Sequence, residues 1–280
     1  MNNRIGIISD STSYLDETYV KKRNISIVNL TINVGNKSYE DIKEIDNKLL
    51  FKHIDNKKSV TTSQPSPEQF LRAFIEKSNE YDEIICFTIS SGLSGSYNSA
   101  CIAKDMYEGD AKIAVVDTLS SAMGIRACIE EIDKFCKMQF LEIVSKLKKF
   151  VKESSTYLTI DDLQTLVKTG RIKKTQAIIG NALKVKPLLS LDESGKIYIF
   201  EKVRTTKKLL IKLSNIINNS KTDKVYISYA GSVELFNEKV VMLKEKIEKA
   251  ELIVCNEIGP VLSTHLGKGG IGLFLSKSNS

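Results

Sequence analysis

The sequence lacks the features that several classes of protein require. It contains only two histidines, His53 and His265, and none of its five cysteines forms a CxxC pair. A histidine-rich metal centre, a zinc site and a disulfide framework are therefore not expected. No apolar run approaches the roughly 18 residues that a membrane span needs, and the N-terminus has no signal-peptide pattern. We predict a cytoplasmic protein with reduced cysteines, no metal and no cofactor.

Nucleotide-binding and hydrolase signatures are also missing. No Gly-x4-Gly-Lys-Ser/Thr phosphate loop is present, and no Gly-x-Gly-x-x-Gly motif follows the first predicted strand. Ser94 lacks the Gly-x-Ser-x-Gly pattern of a nucleophile elbow because residue 96 is a serine. An acyl hydrolase that uses Ser94 as nucleophile and His265 as base stays open as an alternative, on residue types alone.

The formal net charge of +7 is unevenly distributed. Residues 168–212 contain twelve Lys or Arg and three acidic residues. Such a segment favours acidic protein partners, phosphate groups or anionic membrane surfaces, and the alternative is an ordinary lysine-rich surface. A nucleic-acid-binding regulator is a further alternative, although the segment lacks the interleaved aromatic residues and arginines typical of strand recognition.

Strand and helix patterns alternate along the first half, with strands predicted at residues 5–8, 25–34, 84–89 and 112–116. This alternation predicts a parallel sheet with helices on both faces. Residues 59–67 contain two prolines and are expected to form a rigid loop before a helix that starts at Pro67. A long helix is predicted over residues 140–151.

The alternation of strand and helix patterns changes near residues 152–156, after the long predicted helix. Further strands are predicted, and a turn at residues 192–195 joins two of them as a hairpin, so the second sheet is mixed. Helices are expected around residues 161–169, 174–183, 205–219 and 233–249. We predict an α/β protein of two domains, 1–155 and 156–280. The first is a three-layer α/β/α domain and the second a two-layer α/β domain, with a ligand pocket between them.

Hydroxyl-rich segments follow four predicted strands, at residues 9–13, 59–66, 90–96 and 117–121. Ligands of parallel sheets bind beyond the carboxyl ends of the strands, so these segments are expected to converge. Residues 90–96 also precede a predicted helix, whose free N–H groups and dipole favour an anion. The alternative is that these serines only cap a helix and the glycines only form the turn. Asp10 and Asp117 are the only acids in these segments that stand out as candidates for a catalytic role, and the alternative is that they are capping residues.

Two candidate anion-binding residues lie in the second half of the chain. His265 falls in a glycine-rich segment that predicts a loop between two strands, where its imidazole could donate to a carboxylate. Arg171 follows Gly170 at a predicted helix end and could add a charge-assisted hydrogen bond to an anion.

Several of these segments together resemble the DegV family. They are ISDSTS at 8–13, TSQPSP at 62–67, SSGLSGSYNSA at 90–100, VDT at 116–118, KTGRI at 168–172, KP at 186–187, EIGP at 257–260 and TH at 264–265. DegV proteins bind fatty acids and serve as the lipid-carrying subunit of bacterial fatty acid kinase. The resemblance implies one long-chain fatty acid in a tunnel between the domains.

By the same resemblance, the residues that hold the fatty acid carboxylate are Thr62, Ser63, Ser94 and His265, with the Gly95 backbone N–H and Arg171 nearby. The chain itself is then a non-catalytic carrier, and a separate kinase subunit binds ATP. The expected surface for that kinase, or for transient contact with an anionic membrane, is formed by Arg204, Lys207 and Lys208. No nucleic-acid partner is expected.

Overall fold

The computed structural model describes residues 5–135, 137–160, 163–173, 186–231 and 233–277. The first half contains, in chain order, β1 (Ile5–Asp10), α1 (Glu17–Arg23), β2 (Ile25–Val28), β3 (Thr31–Val34), β4 (Lys37–Glu40), α2 (Asn47–Asp55), β5 (Val60–Ser63), α3 (Pro67–Ser78), β6 (Glu83–Thr88), α4 (Ser96–Met106), β7 (Lys112–Asp117), α5 (Met123–Glu131) and α6 (Phe140–Glu153).

The second half contains β8 (Ser155–Thr159), α7 (Leu163–Lys168), β9 (Lys186–Leu191), β10 (Ile197–Val203), α8 (Thr206–Asn219), β11 (Thr222–Tyr229), α9 (Val233–Lys244), β12 (Glu251–Glu257), α10 (Pro260–Leu266) and β13 (Ile271–Lys277). The helix predicted at 174–183 lies outside the described residues. Within the described ranges, no helix is both long and apolar enough to pass through a bilayer.

A parallel sheet forms the centre of the first half, as predicted. Its strand order is β2-β1-β6-β7, and every neighbouring pair runs parallel. All six residues of β1 and all six of β6 are buried, because helices cover both faces. The strand predicted at residues 84–89 is therefore confirmed as β6, and it is buried on both faces.

A mixed sheet forms the second half, with strand order β10-β9-β8-β13-β11-β12. Only β11 and β12 run parallel among its paired strands in the described residues. The predicted hairpin is confirmed, since β9 and β10 pair antiparallel and Gly195 takes a φ of +70° at the turn. The domain boundary at residues 155 and 156 remains a prediction; in the structure, Ser155 begins the first strand of the mixed sheet.

A third, three-stranded antiparallel sheet was not predicted, and it corrects two expectations. The run at 25–34 is not one strand: β2 belongs to the parallel sheet and β3 to the small sheet, whose order is β4-β3-β5. Apolar residues continue across the junction, so the change of sheet leaves no mark on the hydrophobic pattern. The predicted loop at 59–67 contains β5, in which the β-branched residues Val60, Thr61 and Thr62 suit a strand.

The two large sheets share a core. Helices α5 and α6 lie between them, so that Phe87 and Val116 of the parallel sheet and Tyr226 and Phe274 of the mixed sheet belong to one buried cluster. The outer face of the parallel sheet packs against α3 and α4, and that of the mixed sheet against α8 and α9. A space between two sheets that are fixed in this way can remain open without collapse of the surrounding core.

Candidate functional site

A cavity of about 200 Å³ lies between the two halves of the chain. This volume is more than ten times the ~15 Å³ that a single water molecule needs. Most of the wall is apolar and comes from both halves, with contributions from Ile89, Leu93, Met123, Leu158, Leu191 and Leu262. All six sequence-predicted ligand residues, Thr62, Ser63, Ser94, Gly95, Arg171 and His265, also line it. The fold therefore brings together residues that are separated by up to 203 positions in sequence.

Thr62 and His265 form the central pair of the polar end. Thr62 lies on β5, opposite Ile32 of β3, and its Oγ1 is 2.9 Å from Nε2 of His265. His265 is not in a loop, as the glycine-rich sequence suggested, but in the last turn of α10. The reason is that the flanking glycines bound the helix: Gly259 precedes Pro260, which starts it, and Gly267 ends it at a φ of +72°.

The imidazole of His265 is neutral at physiological pH. The side chain is only 8% exposed, and burial, together with the nearby charge of Arg171, lowers its pKa to about 3. Its Nδ1 has no hydrogen-bond partner among the described residues. A neutral ring donates from one nitrogen and accepts at the other, so the Thr62 contact can be made with either hydroxyl orientation.

The segment between β6 and α4 supplies hydroxyl and backbone groups. Ser94 Oγ lies 3.0 Å from Ser96 Oγ and accepts from the Ser96 N–H at 3.3 Å. Gly95 is the N-cap of the eleven-residue helix α4 and provides no side-chain cap. A Cβ on Gly95 would lie 2.6 Å from Nε2 of Gln64, so a larger residue would have to displace this side-chain amide. Gln64 lines the cavity too and was not proposed as a site residue, although it directly follows Thr62-Ser63.

Arg171 is the only charged side chain among the described residues that line the cavity. It is half-buried, and burial lowers its pKa below the usual value. Its guanidinium donates to the backbone carbonyl of Thr169. Since no acidic side chain lines the described wall of the cavity, the positive charge lies beside the neutral hydroxyls without a carboxylate in the cavity to balance it.

Part of the cavity wall comes from the mixed sheet. Gly272 of β13 pairs with Leu158 of β8 on one side and with Ser228 of β11 on the other, and all three line the wall. A Cβ on Gly272 would lie 2.5 Å from Cε of Met123, so the methionine tip lies directly on this backbone. The next residue of β13 on the same face, Phe274, is already part of the shared core.

Two of the four hydroxyl-rich segments do not converge on the cavity as predicted. None of residues 9–13 lines it. Ser11 and Thr12 are fully buried, and the Thr12 hydroxyl donates to Asp10 Oδ1 at 2.6 Å. Of residues 117–121, only Ser121 lines the cavity. Asp117 Oδ1 accepts from the N–H groups of Ser91 and Leu119, a local capping role.

The contacts of Ser94 and His265 argue against the hydrolase alternative. The imidazole contacts Thr62, and Ser94 contacts Ser96; no hydrogen bond joins Ser94 to His265 within the described part of the chain. A general base works best with a pKa near the operating pH, whereas the pKa of His265 is lowered to about 3. The geometry fits ligand binding better than proton transfer.

Three buried groups predict how stability depends on pH. Burial raises the pKa of Asp10 to about 6, and it raises that of Asp41 to about 6 as well. Each therefore contributes stability that is present below its unfolded pKa of about 4 and is lost as the pH rises through 6. His265 acts in the opposite sense: its stability contribution is present above its unfolded pKa of about 6.5 and is lost as the pH falls towards 3.

Between about pH 4 and 6, the free energy of unfolding of Asp41→Asn should therefore fall less steeply with rising pH than that of the wild type. The expected difference is up to about 1.4 kcal/mol per pH unit, the value for one proton. His265→Gln should make the fall steeper, because it removes the opposing contribution. Urea unfolding at a series of pH values measures both slopes. Identical slopes in all three proteins would contradict the assigned protonation states.

Comparison with known proteins identifies the family. The family profile described as "Uncharacterised protein, DegV family" matches residues 4–278. The chain belongs to the DegV family. A DegV domain-containing protein of Lactococcus lactis, YteA, is 34% identical over 280 residues, with 96% of both chains covered. The family assignment confirms the resemblance seen in the sequence motifs.

Solved DegV structures share the fold described above. A DegV family protein from Thermus thermophilus, named for its fatty acid binding, has a TM-score of 0.86 and 27% identity, covering 98% of this chain and 100% of its own. A stearic acid-binding protein from Eubacterium ventriosum has a TM-score of 0.85 and 27% identity, covering 98% of each chain. The α/β architecture, with its parallel and mixed sheets, is therefore that of DegV proteins.

Proposed function

We propose that this protein binds one long-chain fatty acid, with the acyl tail in the cavity and the carboxylate at the polar end. The observation that carries the proposal is a largely apolar cavity in which hydroxyls and a single cation, Arg171, are gathered among the described lining residues. Related structures from Thermus thermophilus and Eubacterium ventriosum, named for fatty acid and stearic acid binding, support it. An apolar cavity with one such end matches an amphipathic, singly charged ligand.

The tail supplies most of the affinity in this proposal. Each methylene removed from water contributes about 0.8 kcal/mol, and the wall that would receive it includes Leu93, Leu158 and Leu262. The head group needs paired hydrogen bonds, because an unpaired buried anion is costly. A fatty acid therefore needs both an apolar wall for its tail and hydrogen-bond donors for its carboxylate, and the cavity provides both.

At the polar end, Nε2–H of His265 donates to Thr62 Oγ1, which frees the Thr62 hydroxyl proton for a carboxylate oxygen. This tautomer places the ring proton on the nitrogen that has a partner, and leaves Nδ1 unprotonated. Ser94, Ser63 and the Gly95 N–H at the start of α4 add donors, and Arg171 adds a charge-assisted one. Neutral hydroxyls would also allow the carboxylate to become an acyl phosphate without large rearrangement.

The tunnel proposal is tested by denaturing mass spectrometry of an organic extract of the purified protein. We expect one long-chain fatty acid per chain, or uptake of added oleate or palmitate to that ratio if the protein is purified empty. The masses would also identify the preferred chain length and saturation. A folded protein that carries no fatty acid and takes up neither oleate nor palmitate would refute the proposal.

We further propose that the chain presents its fatty acid to a separate ATP-dependent kinase, which forms the acyl phosphate. Arg204, Lys207 and Lys208 are exposed at the junction of β10 and α8 and form the basic patch. Lys207 and Lys208 lie in the first turn of α8, where positive charge is unfavourable to the helix dipole. Their position thus offers no stabilisation of the helix, which favours a role in binding.

Charge reversal of the basic patch should lower the rate of acyl phosphate formation by a cognate kinase at least tenfold, a size typical of an interface hot spot. Oleate affinity should stay unchanged. The matched control reverses three exposed lysines of α6, Lys146, Lys148 and Lys152. An equal loss of the rate of acyl phosphate formation in the patch variant and the control variant would point to an effect of net charge rather than to a docking surface. Loss of binding to anionic vesicles, with kinase turnover intact, would assign the patch to the membrane instead.

A further inference from the structure

The helix that carries His265 begins without a cap of its own. Helix α10 has only seven residues, and its N-cap, Gly259, has no side chain to accept from the first-turn N–H groups. These groups must find partners elsewhere, because Pro260, Val261 and Leu262 are all buried.

The partners come from the first half of the chain. Asp41 Oδ1 accepts from the N–H of Val261 at 3.2 Å, and the hydroxyl of Tyr14 accepts from the N–H of Leu262 at 3.2 Å. Asp41 is completely buried, and its Oδ2 accepts from Ser11 Oγ at 2.7 Å and from the Tyr14 hydroxyl at 3.2 Å. One carboxylate therefore orders both groups that cap α10.

The same small sheet holds both ends of α10. Thr31 of β3 pairs with Glu40 on one side and with Ser63 on the other. Asp41, which follows Glu40, and Thr62, which precedes Ser63, therefore lie at the same end of this sheet. Asp41 contacts the first turn of α10, and Thr62 contacts the last.

The packing between these contacts leaves α10 little freedom. Val261 belongs to the buried cluster of the small sheet, together with Ile32 and Leu50. A Cβ on Gly259 would lie 2.2 Å from Cε1 of Tyr14, so the chain enters the helix directly against the ring of that tyrosine. A shift of the first turn would therefore be passed along the helix to His265.

We propose that Asp41 is a positioning residue for the carboxylate site: it anchors the N-terminus of α10 and thereby sets the contact between His265 and Thr62. The proposal rests on the proposed function in that it takes this pair to bind a carboxylate. Asp41 itself does not line the cavity. The apolar lining residues Met123, Gly272 and Leu158 lie on other elements, and this part of the wall should not respond to Asp41.

The test compares oleate with oleyl alcohol, which has the same tail and no carboxylate. Asp41→Ala should weaken oleate binding about tenfold, as expected for loss of a cap, and change alcohol binding less than threefold. Asp41→Asn keeps an oxygen for the Val261 N–H and should recover most of the oleate affinity. Equal loss for both ligands, or unchanged oleate affinity in the folded Asp41→Ala protein, would overturn the proposal.

Asp46 offers a matched control. Its Oδ1 accepts from the N–H of Leu49 at 2.7 Å, so it caps a different helix, α2, with the same chemistry. Asp46→Ala should destabilise the protein to a comparable extent and leave the ratio of oleate to alcohol affinity unchanged. A similar change in this ratio for Asp46→Ala would indicate a general loss of order and would contradict a specific role of Asp41.

A ligand-free readout separates this proposal from the proposed function. The imidazole ¹⁵N resonances of His265 should shift in Asp41→Ala and remain in place in Asp46→Ala; the other histidine, His53, can be assigned by substitution. If the wild type binds no oleate but the His265 resonances shift as expected, the fatty acid proposal fails and the positioning role stands. Unchanged His265 resonances in the folded Asp41→Ala protein would refute the positioning role, whatever the ligand.

Discussion

Phe274→Ala is expected to lower the free energy of unfolding by about 3–5 kcal/mol, the usual cost of truncating a buried phenylalanine. The side chain is 2% exposed. Its ring centroid lies 6.0 Å from that of Phe150 on α6 and 6.4 Å from that of Tyr226 on β11. Removing the ring would leave a cavity where the helices between the two sheets meet the mixed sheet.

This variant also tests whether the two halves unfold together. Because Phe274 belongs to the core shared by both sheets, backbone amides of both should lose hydrogen-exchange protection in parallel. Phe200→Ala is the matched control: Phe200 lies on the edge strand β10 and is 40% exposed. We expect Phe200→Ala to lower the free energy of unfolding clearly less than Phe274→Ala does. If both substitutions cost the same, or only the mixed sheet loses protection, the shared core does not couple the halves.

The variant Thr62→Ala/Ser94→Ala/His265→Ala should bind oleate at least 100-fold more weakly than the wild type. Hydrogen bonds to charged groups contribute about 1.5–3 kcal/mol each, and about 1.4 kcal/mol is a factor of ten in affinity. Loss of two such bonds is sufficient for the predicted effect. Displacement of a fluorescent fatty acid by oleate measures it, and circular dichroism verifies that the variant is folded.

The control uses hydroxyls next to those of the site. Thr61 and Ser91 are exposed and do not line the cavity, although each lies in the same segment as a site residue. Thr61→Ala/Ser91→Ala should bind oleate as the wild type does. Oleyl alcohol should lose less affinity than oleate in the triple variant. A folded triple variant with oleate affinity within threefold of the wild type would contradict the assigned carboxylate site.

The sequence predicted those parts of the fold that depend on local pattern. The apolar run at 84–89 is long enough only for a buried strand, and Pro67 after Ser66 marks a helix start, where the Gln69 side chain accepts from the Ser66 N–H at 2.8 Å. Family motifs also pointed to Thr62, Ser94 and His265, all of which line the cavity. Their roles in binding a carboxylate remain predictions.

Long-range contacts explain what the sequence did not reveal. The hydroxyls of residues 9–13 have the same composition as those of a binding site, yet Ser11 bonds to Asp41, 30 positions away. Asp41 itself has no motif in its neighbourhood, and its importance depends on Val261, 220 positions further on. Hydroxyl-rich segments that bind a ligand and those that satisfy a buried carboxylate look alike until their partners are known.

The sequence by itself determined the α/β class, the buried strands, the mixed sheet and the family, because hydrophobic periodicity and turn chemistry act over a few residues. Only the tertiary structure decided which hydroxyls face the cavity, that His265 lies on a helix, and that a three-stranded sheet holds this helix at both ends. These features depend on hydrogen bonds and packing between segments more than 200 residues apart, and no local pattern encodes which distant partner a polar side chain will meet.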